Sequence, residues 1–203
     1  MKKPNLILID NGHARSTKGK RSPLTKDGER LYEWQLNREI TRRIMEWMII
    51  KGVKFFNVCP EDEVDVSLTE RARRANELGR GYAPLLISVH CNASGNGDEW
   101  MKAKGWSIYT TKGTTQSDEY AKVFWDEANN ILTQKGIKVR SYNGDNDPDF
   151  EEDFTIIYKT VYPAVLTENL FYDNLDDFNI LSTDEGLDLL ADIHINAIEK
   201  LYF

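Results

Sequence analysis

Histidines, the side chains that most often bind transition metals, are scarce in this chain, and two of them lie at or just beyond the ends of apolar segments. Only three histidines occur among its 203 residues. His13 lies just beyond an apolar run that closes at Asp10, and His90 lies at the end of a second, almost wholly apolar run. Glu168 ends a third such run. Because sites in open α/β sheets form outside the carboxyl ends of the strands, these side chains can converge.

Zinc-dependent hydrolysis is the chemistry that such a set could support. A hydrolytic zinc site needs three protein ligands and one open position for water, and two histidines with a carboxylate form a known ligand set. Glu33, in the first turn of the first predicted helix, is the candidate third ligand. Each residue also has an ordinary structural interpretation, as a hydrogen-bonded histidine or a glutamate that complements the helix dipole. The residues alone leave both interpretations open.

The elements that must position these side chains alternate along the chain. Apolar runs predict strands at 5–10, 53–58, 84–91, 105–111, 137–140, 154–158 and 163–168. Apolar residues at helical spacing predict helices over 31–50, 67–78, 121–132 and 187–201, and residues 142–153 read as an acidic loop. This alternation predicts one α/β domain: a three-layer sandwich whose mostly parallel sheet of about six strands is flanked by helices.

Composition and charge exclude several classes of protein. The formal net charge of −7 argues against a nucleic-acid partner, which would need a basic face, although Lys18, Lys20 and Arg21 form a local basic patch. Cys59 and Cys91 are too few for a disulfide framework, and we expect both to be buried thiols. The chain has no GxGxxG or GxxxxGK[ST] segment, which argues against a nucleotide-binding α/β protein.

The first ten residues, MKKPNLILID, place two lysines before a short apolar run. This run is too short for a signal peptide, and no small-residue cleavage site follows it. No other stretch approaches the length of a membrane span. We therefore expect no signal peptide and no integral membrane segment in the chain.

Five short motifs follow one another along the chain. They are Asp10-Asn11-Gly12-His13, Glu33 with Asn37, Leu68 with Arg71 and Asn76, Ser88-Val89-His90-Cys91-Asn92, and Pro163 to Glu168 followed by Phe171 and Asn174. In this order they resemble the Amidase_3 family of zinc-dependent N-acetylmuramoyl-L-alanine amidases, found in bacterial cell-wall hydrolases and phage endolysins. The match runs over nearly the whole chain.

The resemblance implies an activity, a cofactor and a set of site residues. Residues 1–203 would form a single amidase catalytic domain that hydrolyses the bond between N-acetylmuramic acid and L-alanine in peptidoglycan. Glu168 would act as general base, while Asn92 and Arg71 would contact substrate or support the site. One Zn²⁺ ion would be bound by His13, Glu33 and His90.

The chain departs from the family pattern near the first histidine. Asn11 stands where the family usually has proline, and Ala14-Arg15 stands where a second glycine is usual. The segment Ser16–Pro23 is peculiar to a subgroup and is expected to border the cleft. These departures leave the ligands intact and put the details of substrate choice in doubt.

Two alternatives use the same fold. A zinc peptidase that cuts within the stem peptide would share the metal chemistry, and a non-catalytic wall-binding module would not need Glu168. We expect a monomer made in the bacterial cytoplasm that acts on the cell wall, with holin-type release as one route. His194 lies on the apolar face of the last predicted helix, so we expect it in the core rather than at the metal.

Overall fold

The computed structural model describes residues 2–142 and 148–203. Its strands are β1 (Leu6–Asn11), β2 (Phe55–Asn57), β3 (Pro84–Asn92), β4 (Ser107–Thr110), β5 (Phe150–Glu151) and β6 (Ala164–Phe171). Its helices are α1 (Glu33–Lys51), α2 (Leu68–Leu78), α3 (Gln116–Thr133), α4 (Thr155–Lys159), α5 (Leu175–Leu181) and α6 (Asp184–Tyr202). Residues 143–147 of the predicted acidic loop lie outside the described residues, and β5 lies near its end.

The six strands form one sheet in the order β2-β1-β3-β6-β4-β5. Every neighbouring pair is parallel except β4 and β6, which are antiparallel. The prediction of a mostly parallel sheet of about six strands is therefore confirmed. The three central strands β1, β3 and β6 run in the same direction, so their carboxyl ends meet at one edge.

Helices cover both faces of the sheet. Ile7 and Ile9 of β1 belong to a core shared with α1, α3 and α6, whereas Leu6 and Leu8 belong to a second core shared with α2 and α4. A strand buried on both faces is apolar at every position, which explains the continuous run in the sequence. The predicted three-layer arrangement is thus confirmed. Among the described residues, no helix is both long and apolar enough to span a bilayer.

Three predicted elements were wrong or incomplete. Residues 154–158 were predicted as a strand, but helix α4 occupies this region and packs Ile156 and Ile157 against the second core. The predicted strand 137–140 is reduced to one bridge, between Trp106 and Val139. Strand β6 does not end at Glu168 but continues to Phe171.

His194 was predicted to be a core residue, and the structure confirms it. The side chain is fully buried in α6, where Nε2 lies 2.9 Å from Thr167 Oγ1 and Nδ1 lies 2.8 Å from the carbonyl oxygen of Leu190. Burial lowers the pKa of His194 to about 4. It is therefore a neutral, hydrogen-bonded histidine of the core, outside the group formed by His13, Glu33 and His90.

Candidate active site

His13, Glu33 and His90 lie together at the carboxyl edge of the sheet. One ligand atom from each residue lies within 4.8 Å of the other two, and in the described part of the chain this is the one group with such geometry. Glu33 Oε1 lies 2.9 Å from His90 Nδ1 and 3.3 Å from His13 Nε2. The three residues are called here the ligand cluster, and two of them, His13 and His90, line a cavity of about 300 Å³.

His13 is held in an unusual backbone conformation directly after β1. Its φ is 62°, in the left-handed region that L-residues avoid. Asn37 donates a hydrogen bond to the Gly12 carbonyl at 2.9 Å, and Arg38 donates one to the His13 carbonyl at the same distance. Side chains from α1 thus fix the turn, as a strained residue at a functional site requires.

Gly12 is necessary because the His90 ring approaches its backbone closely. A Cβ at this position would lie only 2.3 Å from the His90 ring, so no other residue fits without displacing that ring. The rings of His13 and His90 meet edge to face, with their centroids 5.1 Å apart. The glycine of the predicted turn therefore sets the spacing of the two nitrogen ligands.

Glu33 is the first residue of α1, as predicted, and its carboxylate is only 2% exposed. Its backbone N–H donates to the Lys20 carbonyl at 3.0 Å, which replaces the side-chain cap that this helix lacks. Burial alone would raise the pKa of Glu33, but hydrogen bonds and charge from His13 and His90 together hold it below its ordinary value. The carboxylate is therefore ionised and available as a ligand.

Glu168 lies beside His90 on the neighbouring strand, because the two residues are in register between β3 and β6. Its Oε2 atom is buried and has no hydrogen-bond partner among the described residues. Burial and the nearby charge of Glu33 raise the pKa of Glu168 well above its usual value. An unpartnered carboxylate with a raised pKa, next to a group of potential metal ligands, is suited to general acid–base catalysis.

Arg71 lies beneath the cluster and is only 1% exposed. It donates to Asp10 Oδ1 at 2.7 Å, to the Asn11 carbonyl at 2.6 Å and to Asp65 Oδ1 at 2.9 Å. Ser88 completes this arrangement by donating to Asp10 Oδ2 at 2.7 Å. Of the two roles predicted for Arg71, these contacts favour support of the strand ends over contact with substrate.

Asn92 ends β3, two residues beyond His90. Its side-chain oxygen accepts a hydrogen bond from the Ala93 N–H at 2.8 Å, and its carbonyl accepts one from the Tyr172 N–H at 3.0 Å. The structure thus brings Asn92 to the same edge as the ligand cluster. Its assignment as a substrate contact stays a prediction.

Two residues that adjoin the cluster were not predicted. Asp65 Oδ2 lies 3.7 Å from His13 Nδ1 and accepts a hydrogen bond from Thr17 at 2.5 Å. Tyr172 donates to Glu33 Oε2 at 3.5 Å. Asp65 belongs to a loop with no pattern that marks it, whereas Tyr172 directly follows β6 and a correct end for that strand would have drawn attention to it.

Comparisons with known proteins identify the family. A family model described as N-acetylmuramoyl-L-alanine amidase matches residues 7–200. An endolysin of Bacillus phage SPP1 is 28% identical over 97% of this chain and 65% of its own length. The N-acetylmuramoyl-L-alanine amidase CwlM of Bacillus licheniformis is 26% identical over 97% of this chain and 68% of its own length.

A solved structure has the same fold. The amidase Ami1 from Mycobacterium smegmatis superposes with a TM-score of 0.76 at 20% identity, covering 97% of this chain and 96% of that one. At this identity the likeness concerns the fold. The chain spans 65% of the phage endolysin and 68% of CwlM, so it corresponds to about two-thirds of each curated relative.

Proposed function

The chain belongs to the Amidase_3 family of N-acetylmuramoyl-L-alanine amidases, and on that premise we propose that it hydrolyses the amide bond between N-acetylmuramic acid and L-alanine in peptidoglycan. The observation that carries the proposal is the meeting of His13, Glu33 and His90 beside the unpartnered carboxylate of Glu168. Residues 1–203 would act as one catalytic domain. Its place of action would be the bacterial cell wall.

The ligand cluster fits a zinc ion in the chemistry of its donors. Two imidazole nitrogens and one carboxylate oxygen form a known ligand set for catalytic zinc, which leaves the fourth position for water. The donor atoms of the three residues lie within 4.8 Å of one another, and the nearby Glu168 Oε2 has no hydrogen-bond partner among the described residues, so both observations fit such a group. We therefore assign Zn²⁺ to His13, Glu33 and His90, and this ion would lower the pKa of its bound water and polarise the amide carbonyl.

Glu168 would move the proton. Its Oε2 atom would accept a proton from the attacking water and return it to the nitrogen of the leaving L-alanine. The raised pKa of Glu168 suits this transfer, because a carboxylate with a raised pKa is a stronger base towards the water and keeps the proton more readily until the amine takes it. The products would be the lactyl carboxylate on the muramic acid and a free amino terminus on the stem peptide.

Digestion of purified peptidoglycan tests the reaction. Mass spectrometry of the soluble products should show glycan with free lactyl carboxylates and peptides that begin with L-alanine. Products cut only inside the stem peptide would instead identify a peptidase. A protein that binds the wall and releases nothing would be a binding module.

The metal assignment has its own test and control. Elemental analysis should find one zinc per chain in the purified protein and none in a His13→Ala His90→Ala double variant. His194→Gln is the matched control, because it removes the remaining histidine, which lies in the core. Equal zinc in the double variant and in the wild-type protein would contradict the ligand set.

A further inference from the structure

A second cavity, of about 650 Å³, adjoins the ligand cluster. Arg15 and residues 17–21 form one wall, and Tyr32, Trp34 and Gln35 at the start of α1 form the other. This cavity, called here the basic pocket, shares Thr17 with the smaller cavity that contains His13 and His90. A ligand held at the ligand cluster could therefore extend into it.

The charge of the basic pocket is opposite to that of the protein. Its lining includes four cationic side chains, Arg15, Lys18, Lys20 and Arg21, and no carboxylate, whereas the net charge of the whole chain is −7. Such local concentration of one sign in a cleft attracts ligands of the opposite sign. The pocket therefore favours an anion.

The ion pairs that the cations of the pocket form with the protein are long, the shortest being 3.4 Å between Arg15 and Glu63. Arg21 Nε is buried without a hydrogen-bond partner among the described residues, and its guanidinium approaches Asp98 no closer than 3.8 Å. Lys20 lies 3.7 Å from Glu33 Oε2, and Arg15 lies over the Trp34 ring at 5.3 Å. These donors retain hydrogen-bonding capacity that an anionic ligand could use.

The wall of the pocket is an ordered segment rather than a free loop. Arg21 forms an antiparallel bridge with Tyr32, Ser22 donates a backbone hydrogen bond to Leu31 at 2.9 Å, and the Lys20 carbonyl accepts from Glu33. The Arg21 carbonyl also packs so closely on Gly97 that a Cβ there would lie 2.4 Å away. The backbone that carries the cations is therefore held in place before a ligand arrives, which lowers the entropic cost of binding.

The basic pocket also adjoins the place where the proposed substrate would be cut. The sugars of peptidoglycan have no free carboxylate once the lactyl group is in the amide, so the anionic groups near the scissile bond belong to the stem peptide. The second residue of that peptide begins about 3.5 Å beyond the first in an extended chain. Lys20 Nζ lies 3.7 Å from Glu33 Oε2, so at least one cation of the pocket is next to a proposed zinc ligand.

We infer that the basic pocket binds the free carboxylate on the second residue of the stem peptide and thereby selects substrates that are not amidated there. The inference rests on the proposed amidase function, because that function places the scissile bond at the ligand cluster. Lys18 and Arg21 would contact the carboxylate directly. Lys20 would lie between the carboxylate and the ligand cluster.

Equilibrium binding to a Glu168→Gln background tests the inference without cleavage of the ligand. Two synthetic muramyl peptides are compared, which differ only in a carboxylate or a carboxamide on the second residue. We expect the carboxylate peptide to bind at least tenfold more tightly by calorimetry. Adding Lys18→Gln and Arg21→Gln should remove this preference, whereas Lys26→Gln, an exposed lysine outside the pocket, should leave it unchanged.

Equal affinity for the two peptides, or a preference that survives Lys18→Gln and Arg21→Gln, would overturn the inference. Tighter binding of a poly(glycerol phosphate) that is lost in the same variants would overturn it too, by identifying the pocket as a phosphate site. Cleavage of both peptides by the wild-type protein is measured in parallel. Cleavage without a binding preference refutes only the pocket, while a preference without any cleavage refutes only the amidase function.

Discussion

Two groups of buried polar side chains meet at the Gly12–His13 turn, and they differ in how fully they are hydrogen-bonded. The first, called here the support network, consists of Asp10, Arg71 and Ser88. Both oxygens of Asp10 have a partner, and Arg71 donates to two carboxylates and to backbone carbonyls. Buried polar groups with complete partners are typical of structural networks.

The second group consists of the ligand cluster and Glu168. Here two carboxylates lie close enough for the charge of Glu33 to raise the pKa of Glu168, and Glu168 Oε2 lacks a partner among the described residues. His13 is in addition held at a φ of 62°. Such features cost free energy, and natural proteins retain them where function needs them.

This difference in hydrogen bonding indicates which of these residues should matter for stability and which for function. A substitution of Asp10 or Arg71 in the support network removes a partner and leaves a buried charge, so it should destabilise the folded protein. A substitution at Glu168 relieves repulsion, so it should preserve or improve stability while it removes activity. Proteins commonly exchange stability for activity in this way.

Glu168→Gln should have the largest effect. The change is nearly isosteric and removes only the basic oxygen, so we expect amidase activity to fall by about three orders of magnitude or more, near the upper range for loss of a general base. The zinc content should stay at one per chain and the unfolding midpoint should not fall. Activity on purified peptidoglycan, elemental analysis and urea unfolding measure the three quantities.

Glu152→Gln is the matched control, because Glu152 is an exposed carboxylate near the end of β5. It should leave activity and zinc content unchanged. Loss of zinc in Glu168→Gln would mean that Glu168 is a fourth ligand. Full activity would place the base elsewhere.

Arg71→Met should have the largest effect on stability. It leaves Asp10 buried without its charge partner, and breaking a buried ion pair costs about 3–5 kcal/mol of unfolding free energy. Urea unfolding of the zinc-free protein measures this loss. Arg73→Met, on the exposed face of the same helix, should leave the midpoint unchanged.

An Asp10→Asn Arg71→Met double variant tests whether the buried ion pair accounts for this loss of stability. Because it removes both charges, it should recover part of the stability that Arg71→Met loses. If the double variant is less stable than the wild-type protein by the sum of the losses in the two single variants, the buried pair does not account for the effect.

The sequence predicted the edge of the sheet at which these two groups meet but not every element around it. β1, β3 and the helix that begins at Glu33 were predicted within a few residues because apolar runs and helical spacing reflect burial directly. Residues 154–158 were misassigned because Thr155, Ile156 and Ile157 favour strands, and packing against the second core outweighs that preference.

The candidate site was predicted to a similar extent. His13, His90 and Glu168 were predicted from their places at strand ends, since neighbouring parallel strands end at the same edge of the sheet. The position of Asp65 and the lining of the basic pocket depend on how loops fold against the rest of the protein. No periodic pattern in the sequence encodes that arrangement.

The pH dependence of the unfolding free energy tests the state of His194, whose two ring nitrogens both have a hydrogen-bond partner. Its pKa is about 4 in the folded protein against 6.5 for an ordinary histidine, so the folded state disfavours protonation. The stabilisation is complete above pH 6.5 and is lost as the pH falls towards 4, by about 3 kcal/mol over that interval.

Unfolding of the wild-type protein and of His194→Gln between pH 4 and 7 measures this contribution. The difference between their unfolding free energies should shrink as the pH falls, since the variant has no histidine to protonate. His13 and His90 are common to both proteins and cancel in the comparison. A difference that does not change with pH would contradict the lowered pKa.

Asp65 gives the smallest expected effect and separates the two groups, because it contacts both of them. Oδ1 accepts a hydrogen bond from Arg71 of the support network, while Oδ2 faces His13 Nδ1 at 3.7 Å, on the side of the ring opposite to Glu33. A carboxylate in that position orients a histidine ligand and raises its basicity, and losing one weakens metal binding by about 10- to 100-fold. Asp65→Asn preserves the shape of the side chain, so we expect a loss near the lower end of that range.

Competition with a chromophoric chelator measures the zinc affinity, and urea unfolding of the zinc-free protein measures the stability. Glu63→Gln, an exposed residue in the same loop, is the control and should change neither quantity. If Asp65 acts through His13, zinc affinity falls about tenfold while stability falls by less than about 1 kcal/mol, the value typical of a partly exposed ion pair. If stability falls as far as in Arg71→Met and zinc affinity does not change, Asp65 belongs to the support network alone, and the boundary between the two groups lies at His13.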